Sequence, residues 1–237
     1  AWAHAEDDFK TTQQAYLAGN SLLSTVIGKN GLGADYIAQF IGSEKLIDDN
    51  YENNVSSEYK KVLEGYAAGI NSYATHHPEE VLSKKLFPIT PKKMMLYAQL
   101  QLFVSSKGDY WVKNILNDKI KYNPPADEVK GSNTFAFNSS KTKDGNTYLA
   151  INTHQPLDGP TSWYEAHLCS EEGTNIIGSL FAGGPSILIG ANQNLAWAHT
   201  VNIPDKTDVF ALEMHPTKKK HYRVDDQYLK LKTHRAK

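Results

Sequence analysis

The sequence predicts an α+β fold, mostly helical in its first half and β-rich in its second. Three observations carry this. Up to about residue 121, apolar residues recur at helical spacing behind helix-starting residues; paired prolines follow; and short apolar runs divided by Gly, Pro and Asn fill the remainder. The expected organisation is a helical region over 1–121, a linker over 122–131 and a β-rich region over 132–237.

Taken in order, a first helix is expected over about 6–27, stopping toward Gly28, and a second over about 34–48. Ser56 or Ser57 then offers an N-cap to a segment in which Tyr59, Val62, Leu63, Tyr66, Ile70 and Tyr73 share one helical face. His77-Pro78 stops it, because proline disfavours helical geometry in the residue before it. Thr90-Pro91 is an N-cap followed by proline at the first helical position, opening a buried helix to about Val104. Pro124 and Pro125 lack amide donors and restrict their neighbours, so 122–127 reads as extended. Beyond it, 134–138 and 147–151 read as hairpin strands turned at Asp144-Gly145, a strong hairpin signal. Strand-like runs continue at 163–169, 175–181, 186–189, 195–199 and 209–214.

Composition narrows the function classes. A chain of 237 residues, 40% hydrophobic and 11% aromatic, can bury a substantial core. With 25 basic and 26 acidic residues, it has no field that would select nucleic acid or an anionic membrane. The single cysteine, Cys169, permits no internal disulfide and no cysteine-rich zinc site; inside a strand-like run it reads as a packing residue, and His167 as structural. No apolar run approaches the roughly 18 to 20 residues of a membrane-spanning helix, so no span is expected. The opening residues read as an element already under way, and the chain is expected to be a segment of a longer protein.

Several familiar chemistries are missing. No serine sits in a Gly-x-Ser-x-Gly elbow between strand and helix, and Gly184-Pro185-Ser186 fails the pattern. His76-His77-Pro78-Glu79-Glu80 lacks the returning histidine of a zinc peptidase and reads as a solvated turn. There is no Walker loop or dinucleotide fingerprint, and Lys218-Lys219-Lys220 reads as a solvated loop. What remains is Gly131-Ser132-Asn133, where the proline-bearing stretch meets the first strand. Alone, that tripeptide is weak, because it recurs in many loops.

Its surroundings are more informative. Ala3-His4-Ala5-Glu6-Asp7, the Gly65 to Asn71 run, Gly131-Ser132-Asn133, Asn152-Thr153-His154, the Trp163 to Leu168 run, and Ile189-Gly190-Ala191-Asn192 leading to Ala196-Trp197 occur in one order. In these blocks and their spacing the chain resembles the penicillin acylase family, nearest its acyl-homoserine-lactone and aculeacin acylase branch.

The resemblance implies an N-terminal-nucleophile hydrolase, in which a precursor cuts itself before a serine to give a helical α chain and a larger β chain. The implied fold is part of a four-layer αββα sandwich. The matching bond is Gly131–Ser132, and glycine tolerates the backbone that such a step needs. Freed, the Ser132 α-amine, with a reference pKa of roughly 7.7 to 8.0, serves as base to its own hydroxyl.

The resemblance also assigns supporting residues. His154 would stand beside the α-amine, the alternative being a histidine satisfied in the core; Thr153 stands where relatives often carry proline. Asn133 would position the chain, though a plain turn asparagine would look the same. The backbone N–H of Val201 matches an oxyanion donor, and the second donor, an asparagine, is expected beyond residue 237. Asp205, Thr207 and Asp208 match a calcium site of some relatives, against the plain alternative of a solvated acidic loop. No redox or group-transfer cofactor is implied. The expected partners are the remainder of the β chain and a small acyl amide, and the expected location is periplasmic or secreted.

Overall fold

The computed structural model describes residues 1–117, 131–201, 206–233 and 235. Its first part holds seven helices: α1 (Trp2–Gly19), α2 (Ser24–Ile27), α3 (Leu32–Ile41), α4 (Ser43–Asn54), α5 (Ser57–His76), α6 (Pro91–Ser105) and α7 (Gly108–Leu116). The eight strands that follow are β1 (Ser132–Phe137), β2 (Tyr148–Thr153), β3 (Trp163–Cys169), β4 (Asn175–Phe181), β5 (Ile189–Ala191), β6 (Ala196–Trp197), β7 (His221–Val224) and β8 (Gln227–Lys230). The fold is mixed α and β, as the sequence predicts; of the linker expected over 122–131, all but Gly131 lies outside the described residues.

Local chemistry sets the helix ends. Ser56 accepts the Tyr59 N–H at 3.2 Å to start α5, and Thr90 accepts the Lys93 N–H at 3.3 Å to start α6 behind Pro91. The helix expected over 6–27 divides into α1 and α2. Asn20 Nδ2 caps α1 by donating to the Tyr16 and Lys93 carbonyls, Ser21 takes a positive φ, and Asp35 accepts the N–H groups of Leu23 and Ser24 at 2.8 and 2.9 Å. The helix expected over 34–48 is likewise two, α3 and α4, separated by Gly42 at φ +69°. The short helix α7 has no counterpart in the sequence prediction.

The core gathers on α1, α4, α5, α6 and the segment before α6: Tyr16, Leu17, Ile70 and Leu86 are fully buried, with Phe9, Tyr51, Leu63 and Tyr97 around them. Gln13 spans this core, accepting the Leu82 N–H at 2.8 Å and donating to the Glu80 carbonyl at 3.0 Å. Asn71 does the same for Ile89, accepting its N–H at 2.7 Å and donating to its carbonyl at 2.8 Å. Both amides thus satisfy backbone groups of the partly buried 80–89 segment.

The strands form a β1–β2 hairpin, a four-stranded antiparallel sheet in the order β3-β4-β5-β6, and a β7–β8 hairpin. Strands expected over 186–189 and 195–199 are displaced or shortened to β5 and β6, and of the 209–214 run only Met214 bridges, to Tyr222. The reason at β5 is backbone proximity: a Cβ at Gly178 would fall 2.1 Å from the Ile189 carbonyl oxygen, and one at Gly190 2.5 Å from that of Ile177. Glycine pairs there without an apolar signature.

Tyrosine hydroxyls tie the helices to the sheet. Tyr16 donates to the Gly183 carbonyl at 2.6 Å, Tyr97 to that of Pro160 at 3.0 Å, and Tyr164 to Asp7 Oδ2 at 2.6 Å. The buried His4 stacks on Tyr164 at 4.0 Å, and its Nδ1 is hydrogen-bonded to the Tyr66 hydroxyl, 2.7 Å away. Among the described residues, no helix is long and apolar enough to cross a membrane.

Candidate active site

Ser132 opens β1, and its place follows from the hairpin register. Ser132 pairs with Thr153 and Asn133 with Asn152, which sets His154, one residue past β2, beside the start of β1. At the far end of the hairpin, Gly145 takes φ +72°, and Asp144 accepts hydrogen bonds from the Asn146 N–H and the Tyr148 hydroxyl. The Tyr148 hydroxyl, with the Asn146 groups beside it, holds the Asp144 carboxyl well below its usual range. Such a turn fixes which residues meet at the other end.

There, the backbone N–H of His154 donates to Ser132 Oγ at 3.4 Å, and His154 Nε2 lies 3.2 Å from Asn133 Oδ1. The backbone of His154 therefore reaches the candidate nucleophile while its ring engages Asn133. Asn133 belongs to a strand and not to a turn. An N–H aimed at a hydroxyl oxygen favours negative charge on that oxygen, and such bonds are often long before substrate arrives.

A further partner comes from the segment after β6. Thr200 Oγ1 accepts the Ser132 N–H at 3.2 Å and donates to the Ser132 carbonyl at 2.8 Å. Sequence reasoning passed over Thr200. Its only signal was adjacency to Val201, which the threonine brings to the neighbourhood of Ser132; Val201 itself is about half exposed. At Gly131, a Cβ would meet no atom within 4 Å, so glycine there is not demanded by crowding.

The remaining candidates fall elsewhere. Asp205 lies outside the described residues, Asp208 is exposed, and Thr207 donates its hydroxyl to the Ser106 carbonyl at 2.7 Å. Calcium wants six to eight oxygens, and with Asp205 outside the described residues, the set expected from Asp205, Thr207 and Asp208 is described only in part. Cys169 is exposed, its Sγ 3.1 Å from His167 Nε2, which in turn meets Asn175 Oδ1 at 2.8 Å; it is a surface thiol and not a packing residue. His77 Nδ1 lies 3.7 Å from carboxylate oxygens of both Glu79 and Glu80 on an outer turn.

The chain is similar to known acylases along most of its length. An acyl-homoserine lactone acylase of Pseudomonas fluorescens strain Pf0-1 is 24% identical over 237 residues, covering 82% of this chain and 30% of the relative. Its counterpart from Pseudomonas syringae pv. syringae is 22% identical, covering 95% of this chain and 33% of the relative. Aculeacin-A acylase of Actinoplanes utahensis is 30% identical over 95 residues, 40% of this chain. The chain thus spans about a third of the length of the lactone acylases. The penicillin amidase family profile matches residues 1–237, from end to end, and the chain belongs to that family.

Proposed function

We propose that residues 1–237 form the first part of an amide hydrolase in which Ser132, once freed from Gly131, is the N-terminal nucleophile. The observation that carries this is the convergence on Ser132 of the His154 N–H at Oγ and of Thr200 at the Ser132 backbone, at the first residue of a strand.

In the maturation step, Ser132 Oγ attacks the Gly131 carbonyl carbon, the C–N bond breaks, and the acyl group moves to oxygen as an ester. Water then hydrolyses the ester, leaving a Gly131 carboxylate and a free Ser132 α-amine. In turnover, the amine takes the Oγ proton while Oγ attacks the amide carbonyl of the substrate. The Val201 N–H would donate to the developing oxyanion, joined by an asparagine from the rest of the β chain. The proton passes to the departing amine, and water releases the acid from the acyl-enzyme. His154 and Asn133 hold one another and the mouth of the hairpin. The chemistry requires no redox or group-transfer cofactor.

The surrounding architecture would be the four-layer αββα sandwich, with the linker before Ser132 as its cut site. The substrate class is a linear acyl amide: an acyl-homoserine lactone, a penicillin or a lipopeptide. The resemblance to the lactone acylase branch favours an aliphatic acyl chain. The expected location is periplasmic or extracellular.

A second reading is that residues 1–237 by themselves are a noncatalytic scaffold awaiting the rest of the β chain. The exposed faces of β1 and β2 favour it for the isolated segment. Both are tested on the full-length protein and its Ser132→Ala variant by intact mass, N-terminal sequencing and amide release. The expected result is cleavage at Gly131–Ser132 with activity in the wild type and neither in the variant. A wild-type chain that stays whole, or a variant still cut at that bond, refutes self-processing.

A further inference from the structure

The contacts of Thr200 have a directionality that the proposed chemistry has not used. A hydroxyl has one proton and two acceptor lone pairs. That of Thr200 donates to the Ser132 carbonyl at 2.8 Å, so towards the Ser132 nitrogen, 3.2 Å away, Oγ1 acts only as an acceptor. From this geometry we infer that Thr200 is a positioning residue for the catalytic base: it holds the Ser132 α-amine by one N–H and leaves the nitrogen lone pair free. The inference rests on the proposed role of Ser132.

The physical argument is one of competition for a lone pair. A free amine carries two N–H bonds and one lone pair, and as a base it works only through the lone pair. A neighbouring donor would occupy that lone pair and disable the base. Thr200 cannot do so while its proton is committed to the Ser132 carbonyl. The same bond pins the carbonyl and so limits rotation of the first residue about its backbone, the freedom that a newly made chain terminus would otherwise have.

The order of atoms also suits maturation. Before cleavage, the nitrogen held by Thr200 is the peptide N–H of the bond to be cut; afterwards it is the amine. One side chain therefore keeps hold of the same nitrogen through the change from amide to base. An acceptor also favours the protonated amine, so its removal should lower the amine pKa.

The test uses the full-length protein as wild type, Ser132→Ala, Thr200→Val and Thr200→Ser. Valine keeps the shape of threonine and removes the hydroxyl; serine keeps the hydroxyl and removes the methyl. Processing is followed by intact mass, and kcat, KM and the kcat–pH profile are measured on processed enzyme with an acyl amide that the wild type hydrolyses.

For Thr200→Val, kcat should fall by roughly 10- to 100-fold, the lower part of what a badly placed general base costs, with KM little changed. The acid limb of its profile should move to lower pH. Thr200→Ser should restore both. A valine variant that fails to process while the serine variant processes normally also supports the role. Wild-type rate and pH profile in Thr200→Val overturn it, and so does equal impairment of the serine and valine variants. If the valine variant does not fold, the serine variant decides: a wild-type rate and profile support the hydroxyl's role, and a loss overturns it. Failure of the wild type to process, or acylase activity in Ser132→Ala, instead defeats the assignment of Ser132.

Discussion

The helical region and the β1–β2 hairpin handle apolar surface in opposite ways. On α1 and α5, Leu17 and Ile70 are fully buried, and long-range bonds from Gln13 and Asn71 close the backbone around them. On β1, Phe135 and Phe137 are 57% and 47% exposed, and Tyr148 on β2 is 48% exposed. The first region packs its core largely with its own residues, while the hydroxyls of Tyr16 and Tyr97 find their partners at Gly183 and Pro160. The second presents aromatic side chains to whatever lies beside it, in a chain that spans a third of its relatives. The candidate nucleophile sits on the second kind of surface, which is why its activity is tied here to the longer protein.

The largest expected effect tests this contrast directly. Ile70→Ala should lower unfolding free energy by roughly 2 to 5 kcal/mol in any form of the protein, because the cavity lies in a finished core. Phe135→Ala should cost no more than about 0.5 kcal/mol in residues 1–237 but about 3 to 5 kcal/mol in the full-length protein, where the ring is expected to be covered. Denaturant midpoints of both variants in both lengths give the comparison, and an equal, small effect of Phe135→Ala in the two lengths would break it.

A smaller effect is expected at the joint between the regions. Tyr16→Phe deletes a buried hydroxyl and leaves the Gly183 carbonyl without that donor, at a cost of about 1 to 3 kcal/mol. A thermal midpoint unchanged from wild type would mean that the bond is replaceable by water.

The most gradual effect concerns pH. Burial pushes the His4 imidazole down to about 4, and its Nδ1 is hydrogen-bonded to the Tyr66 hydroxyl. Unfolded, the same group takes up a proton near pH 6.5, so between the two values the unfolded chain binds more protons. The stability contributed by neutral His4 is therefore complete above about pH 6.5 and lost as pH falls toward 4, by at most about 1.4 kcal/mol per pH unit. Thermal midpoints from pH 7.5 to 4.5 should fall less steeply in His4→Gln than in wild type; parallel slopes would exclude this origin.

What was legible in the sequence was whatever short-range chemistry decides. Ser56 and Thr90 announce α5 and α6 because a cap is followed within a few residues by a periodic face in α5 and by Pro91 in α6. The breaks at Asn20–Leu23 and Gly42 were hidden, since what satisfies them comes from Lys93 and Asp35 or from a left-handed turn inside an apolar run. β5 was misplaced because Gly178 and Gly190 pair by close approach, which leaves no alternation to read. At the site, Ser132, Asn133 and His154 lie in recognisable blocks joined by one hairpin. Thr200 reaches Ser132 across 68 residues, and only its adjacency to Val201 hints at the contact.

Two of the tyrosine contacts joining helix to sheet end on main-chain oxygens, those of Gly183 and Pro160. A carbonyl is present whatever side chain its residue carries, so these joints constrain the helical partner far more than the sheet. Position 160 can vary widely without losing its half of the bond. Position 183 is held by a different demand, a φ of +74° and a Tyr16 ring 3.0 Å from any Cβ placed there. Divergence along this seam should therefore be lopsided, with Tyr16 and Tyr97 as its fixed points and most of the loops that receive them free to drift.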